Sequence, residues 1–191
     1  PHGLQVIVID GGSQDQTTAV ADLAGVKTLT SPERGRGQQL IHGMAAARHD
    51  WTLVLHADSR LPHRWCSAVQ RVIDHPHAAS DAWYFDFRVE ARGPMLWLLE
   101  RCVALRSGLG QRPYGDQGLL IHRTLYTASG GYRPIPLMED LDLVERIART
   151  HRLRRLGCPL VTSNRRWQGQ GVISRAWDNW MLRRRWHQGI A

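Results

Sequence analysis

Acidic side chains stand at the ends of two apolar runs. In "VIVIDGGSQDQTTAV" (residues 6–20) the run Val6-Ile7-Val8-Ile9 stops at Asp10, Gly11 and Gly12, and in "WTLVLHADS" (51–59) a second run stops at His56, Asp58 and Ser59. Runs without polar alternation suit strands covered on both faces, the habit of parallel sheets. In open α/β sheets the ligand crevice lies beyond the carboxyl ends of the strands, which makes Asp10 and Asp58 candidate ligand residues. An acid there, beside a diphosphate, suits Mg²⁺ or Mn²⁺, ions that take few protein carboxylates and several phosphate oxygens. The competing role for Asp58 is a local Asx turn or helix cap.

A further acid pair, Glu139-Asp140 in "RPIPLMEDLDL", precedes a helical pattern. Acids are common at that place because they satisfy the helix dipole and its free N–H groups. Held by the rigid Pro-containing segment, one of them would also serve as a fixed general base for a hydroxyl nucleophile. In "ERGRGQQL", Gly35 and Gly37 flank Arg36 at a helix start, an arrangement that favours an anion through backbone N–H groups and a bidentate guanidinium. The dinucleotide fingerprint is not met, because Leu40 stands where Gly or Ala is needed, and no GxxxxGK[ST] loop is present. Asp116 and Gln117 in "YGDQG" would hydrogen-bond a polyhydroxylated ligand or tie down their own loop. Trp167, after Arg165 and Arg166, would stack on a sugar or diphosphate or simply pack.

The elements that must position these groups alternate. Asp15 caps an expected helix over Gln16–Leu23 that Gly25 ends, and Val26–Leu29 is the next strand, completing a βαβ unit. A helix from about Gln38 to Arg48, the strand before His56 and a helix from Pro62 to about Asp74 follow. "WYFDFRVE" alternates as a half-exposed strand. From Pro94, Met95, Leu98, Leu99, Cys102 and Val103 recur at helical spacing and define an expected core-facing stripe. A Gly-rich loop, a short strand at Leu119–His122, a helix to about Arg149 and a strand near Leu160–Ser163 complete the pattern. Helices alternating with strands imply a three-layer α/β domain with a mostly parallel, mixed sheet.

The 191 residues, 42% hydrophobic and 22% charged, fit a single domain over 1–191. Three unpaired, widely spaced cysteines suggest neither a disulfide framework nor a cysteine zinc site, and point to a cytoplasmic setting. The net charge of +8 calls for an anionic partner without choosing one. No apolar run approaches the ~20 residues of a membrane span. Trp177, Trp180 and Trp186 with the "RRR" run fit core packing plus a basic face, the preferred reading, or an interfacial helix in peripheral contact with an anionic membrane.

In order, "VIVIDGGSQDQT", "RGRGQQLIHGMAAARHDWTLVLHADSRLP", "YGDQGLLIHR", "GGYRPIPLMEDLDLVERI" and "TSNRRW" resemble glycosyltransferase family 2, which has the GT-A fold. The closest likeness is to its bacterial radical-SAM/selenodomain-associated branch. The resemblance implies inverting transfer of a sugar from a nucleotide-sugar donor to a hydroxyl acceptor, assisted by a divalent cation. It further implies that Asp10 contacts the nucleoside with Ser13 and Asp15 supporting the turn, that Arg36 lies near the donor, and that Asp58 is the metal-binding acid of a D-x-D element. Asp140 would be the general base, with Glu139, Asp116, Gln117 and Trp167 on the acceptor side. His56 stands at the first acid position of D-x-D, and "RRW" lacks the leading Gln of processive members. The likeness begins at the family's second strand, so the chain is expected to lack the first strand and helix and to leave the edge beside Val6–Ile9 unpaired. A non-catalytic GT-A remnant and a basic nucleic-acid-binding module are the rivals. The second accounts for the arginines but not for acids at strand ends, so nucleic acid is not expected as a partner.

Overall fold

The computed structural model describes residues 3–163 and 172–188. Strand β1 (Ile7–Asp10), helix α1 (Thr17–Leu23) and strand β2 (Lys27–Thr30) form the expected parallel βαβ unit, with Asp10 as the last strand residue opposite Thr30. The Asp15 carboxylate accepts the Thr17 N–H at 3.0 Å. Helix α1 closes as a Schellman turn, in which Gly25 N–H donates to Asp22 and Val26 N–H to Ala21.

The rest of the chain supplies α2 (Arg36–Ala46), β3 (Trp51–Val54), β4 (Ser59–Arg60), α3 (Trp65–Ile73), β5 (Ala82–Val89) and α4 (Pro94–Gly108). Then follow β6 (Leu119–His122), α5 (Arg123–Ala128), α6 (Glu139–Ala148), β7 (Leu153–Thr162) and α7 (Val172–His187). A five-stranded mixed sheet runs in the order β3-β6-β5-β7-β4, while β1 and β2 pair only with each other among the described residues. The β1–β2 and β5–β7 ladders are parallel and hold most of the paired residues; β3–β6, β6–β5 and β4–β7 are antiparallel.

Two cores cover the two faces of the larger sheet. On one, Met44 of α2, Leu125 of α5 and Leu141, Val144 and Ile147 of α6 pack on Tyr84 and Ile121. On the other, Ala68, Val69 and Val72 of α3 pack on Phe85, Leu120 and Leu160. Each fully enclosed aliphatic side chain contributes about 1.5–3 kcal/mol through burial. Together the sheet and its helices give the three-layer α/β arrangement.

Several boundaries and faces differ from expectation. The first half of β5 is covered on both sides, because Tyr84 enters one core and Phe85 the other. Strand β7 is ten residues long rather than confined to its end. Its arginines are matched in place by acids of the β5 region, Arg155 by a bidentate bond to Asp86 at 2.7 and 2.9 Å and Arg154 by Asp81. Helix α3 starts at Trp65, after a turn in which Trp65 N–H donates to Pro62.

Helix α4 is rotated relative to the expected stripe. Val103 is buried with Leu96 and Leu99 packed beside it, whereas Met95, Leu98 and Cys102 face outward. Polar contacts fix that rotation. The Ser107 hydroxyl donates to Gln117 Oε1 at 2.7 Å, and Glu100 accepts the Val89 N–H at 3.1 Å and pairs with Arg88. Swinging Met95 and Leu98 inward would break the Ser107–Gln117 and Glu100–Val89 contacts and draw Val103, Leu96 and Leu99 away from Phe87 and Val89.

Candidate active site

Four chain segments converge at one end of the sheet: the start of α2, the β3–β4 loop, the turn at Gly115–Gln117 and the start of α6. Arg36 occupies the first turn of α2, two residues earlier than the expected helix start. Helix α2 is seated closely against the "RPIP" segment. A Cβ on Gly37 would come within 2.8 Å of the Arg133 carbonyl oxygen and 3.1 Å of that of Ile135, so only glycine lets the two backbones approach. That segment leads into Met138, whose backbone is left-handed (φ 66°), a conformation a non-glycine residue adopts only when its surroundings hold it there. The next two residues, Glu139 and Asp140, open α6 and so meet its positive end.

Arg36 then bridges the acids. Its Nε lies 2.8 Å from Glu139 Oε1, and its Nη2 bonds Asp140 Oδ2 and meets the His56 ring. His56 Nε2 stands 3.8 Å from Asp140 Oδ2, a close polar contact longer than a hydrogen bond. Gly115 lies on top of all three groups. A Cβ there would overlap the Asp140 carboxylate, the His56 imidazole and the Arg36 guanidinium at once. Val54, His56, Tyr114, Gly115, Tyr132 and Asp140 line the cleft that results.

The two adjacent acids are driven in opposite directions. Burial would raise the Asp140 carboxyl, but the His56 ring and the Arg36 guanidinium outweigh it and hold it below the usual carboxylate range. Burial raises Glu139, and the neighbouring Asp140 charge adds to the rise against the opposing pull of Arg36. Asp140 is therefore the more firmly ionised of the two carboxylates. Tyr132, behind them, is pushed well above the usual tyrosine range by burial and the Asp140 charge, and stays a neutral phenol.

Other expected site residues are distributed around this centre. Asp10 accepts N–H bonds from Gly12 at 2.9 Å and Ser13 at 3.0 Å, and the Ser13 hydrogen bonds, despite opposing burial, lower its carboxyl. Asp15 is exposed, and its bonds with the Thr17 hydroxyl and N–H lower it likewise. Asp58 follows β3, with its carbonyl accepting Ser163 N–H at 3.3 Å and one carboxylate oxygen buried. Asp116 lies at the same end, where its carbonyl accepts the Thr162 hydroxyl at 3.4 Å. Gln117 is enclosed: its oxygen accepts from Ser107 and Arg106 and its nitrogen donates to the Phe85 carbonyl at 3.2 Å. Its side chain thus ties down the loop. Trp167 lies outside the described residues. Arg36, expected near the donor, pairs with Glu139 and Asp140 at this end of the sheet.

His56, Gly115, Tyr114, Tyr132 and Arg183 carry no role that sequence alone assigns. The signal for His56 is its place two residues before Asp58 at the same strand tip. Arg183 of α7 has no local signature: its Nη1 donates to the Tyr114 hydroxyl at 2.7 Å across 69 residues of chain. Among the described residues, no three His, Cys, Asp or Glu side chains converge as a metal cage. A single carboxylate such as Asp58 still fits Mg²⁺ or Mn²⁺ where substrate phosphates complete the shell.

A three-layer α/β domain with a part-buried carboxylate lining a cleft at its sheet end, a buried acid next to it in sequence and further acids beside it, has the form of a GT-A glycosyltransferase. Residues 2–131 match the family described as Glycosyl transferase family 2, and the chain belongs to that family. Among solved structures, it resembles glucosyl-3-phosphoglycerate synthase from Mycobacterium tuberculosis in complex with phosphoglyceric acid at 16% identity and TM-score 0.59, covering 83% of this chain and 59% of that one. A mannosyltransferase from Pyrobaculum calidifontis in complex with GDP-Man and Mn²⁺ matches at 20% identity and TM-score 0.58, with 82% and 47% covered. S. aureus TarS 1-349 matches at 15% identity and TM-score 0.65, with 84% and 51% covered. The chain thus spans about half to three fifths of these solved chains, and at such identities the likeness shows the fold.

Proposed function

We propose that the protein is an inverting glycosyltransferase that moves a sugar from a nucleotide-sugar donor to a hydroxyl acceptor, with Asp140 as the general base. The observation that carries this is the Arg36–Asp140–His56 cluster beneath Gly115, which presents an ionised carboxylate to the cleft. In the reaction the acceptor oxygen forms the new bond to the anomeric carbon as the bond to the diphosphate breaks. The acceptor proton passes to the Asp140 carboxylate. Arg36 holds that carboxylate in place, and Glu139 completes its charge environment.

Asp10, with Ser13 and Asp15 shaping its turn, is assigned to the nucleoside end, and Asp58 to a divalent cation. Bound there, Mg²⁺ or Mn²⁺ would supply charge neutralisation for the departing nucleoside diphosphate. Support comes from the family match and from neighbours whose structures contain Mn²⁺ with UDP-glucose or GDP-Man. Asp116, with Gln117 fixing its loop, and Trp167 are assigned to the acceptor side. Within the family we place the chain in the radical-SAM/selenodomain-associated branch, as a single domain acting in a cytoplasmic setting. Incubating the protein with a panel of nucleotide sugars and cell extract, then analysing products by mass spectrometry, tests the assignment. A sugar-mass adduct formed with one donor, and absent for Asp140→Asn, is expected. Donor left intact across the panel would overturn it.

A further inference from the structure

Helix α4 carries two apolar faces where its fold requires one. Leu96, Leu99 and Val103 pack against Phe87 and Val89. The opposite arc consists of Met95, Trp97, Leu98, Cys102, Ala104, Leu105 and Leu109, all exposed, with Leu105 at 58% and Leu109 at 82%. Positions 98, 102, 105 and 109 fall on one side at helical spacing, so this is a continuous surface rather than scattered residues. An exposed apolar surface of this kind marks a contact site.

The charge of the surface is one-sided. Arg101 lies over the Trp97 ring at 5.3 Å, and the helix's only acid, Glu100, is turned away to Arg88 and the Val89 N–H. Helix α7 lies beside α4 and extends the same composition. Trp177 and Trp180 are exposed with ring centroids 5.1 Å apart, and Arg184 lies over Trp180 at 5.5 Å. Arg185 is exposed as well, and Asp178 is the acid that interrupts the surface.

We infer that the outer faces of α4 and α7 form a membrane-docking surface that seats the protein on an anionic lipid bilayer. Leucine and methionine side chains would enter the acyl boundary, indoles would sit at headgroup level, and the arginines stacked on them would meet lipid phosphates. Among the described residues no helix is long and apolar enough to cross a membrane, so the surface lies on the bilayer. A second copy fits less well. A two-fold contact through this face would bring Arg101, Arg184 and Arg185 towards their own equivalents, with Asp178 as the one acid to offset them. The inference stands on surface composition and does not depend on the sugar-transfer assignment.

Flotation with vesicles of phosphatidylcholine alone, and of equimolar phosphatidylcholine and phosphatidylglycerol, tests it. The protein is expected to float with the mixed vesicles at least about tenfold more strongly than with phosphatidylcholine alone, and less strongly as salt is added. A Leu98→Gln/Leu105→Gln variant changes only exposed side chains, so it should keep the wild-type melting temperature while losing binding by about tenfold or more. Arg101→Gln/Arg184→Gln should weaken the preference for the anionic vesicles, with Arg185 left in place. Failure to float with the mixed vesicles, or equal flotation of wild type and the leucine variant, would overturn the inference. So would a concentration-dependent dimer in sedimentation equilibrium that the leucine variant abolishes, because the face would then belong to a second copy.

Discussion

Asp140 and Glu139 are adjacent in sequence, yet their surroundings shift their carboxyls in opposite directions. If Asp140 takes the acceptor proton, Asp140→Asn keeps the shape and helix-capping capacity but removes the base, and turnover should fall about 10²–10⁴-fold with donor binding little changed. Turnover close to wild type at saturating donor would remove Asp140 from the chemistry. Because the Asp140 carboxyl is lowered, it contributes stability above its unfolded pKa that is lost as pH falls through the folded one. Glu139 has the opposite sign. Its carboxyl is raised, so the folded state holds its proton more tightly, and stability declines as pH rises through the folded pKa. Glu139→Gln is accordingly expected to melt higher than wild type at neutral pH, with the difference closing below the usual carboxylate range. A lower melting temperature at neutral pH would show that the Arg36 pairing outweighs burial.

At the scale of elements, the site is made by close approach. The turn carrying Gly115 is held by the buried Gln117, which links it to Ser107 of α4 and the Phe85 carbonyl of β5. Gly115→Ala would push its methyl into the ends of three side chains rather than into backbone. Those ends can swing, so the expected stability cost is about 1 kcal/mol, at the low end for overpacking. A misplacement of roughly 1 Å is nevertheless enough to lower turnover about 10²-fold. Unchanged turnover, followed together with a melting curve, would mean that Gly115 does not set this geometry.

The elements also show what sequence can convey. Asp10 at the tip of β1, Asp58 in the loop after β3, the βαβ unit and the acid pair that opens α6 are legible because local pattern determines them. The outward turn of α4 is not, since Leu98 and Leu99 are equally apolar and only distant polar partners of Glu100 and Ser107 choose between them. The length of β7 is hidden by Arg154, Arg155, Gly157 and Pro159, residues that read as loop until Asp81 and Asp86 of the neighbouring chain segment match the charges. The Arg36–Asp140 contact, 104 residues apart in sequence, has no local signal at all.

For the whole molecule, the net charge of +8 is divided between uses. Arg36, Arg146, Arg154 and Arg155 are matched by acids within the fold, whereas Arg101 and Arg184 lie on tryptophans of an outer face. Internal matching of so many arginines weakens the inference from positive charge to nucleic acid and leaves acids at the strand ends as the feature that needs a ligand. Calorimetric titration with UDP and with GDP, each with and without Mn²⁺, bears most directly on whether that ligand is a nucleoside diphosphate. Binding by at least one of the two that requires Mn²⁺, is lost in Asp58→Asn and persists in Asp140→Asn is the expected result. No Mn²⁺-dependent heat with either nucleotide, together with tight binding of duplex DNA that weakens steeply with salt, would contradict the account.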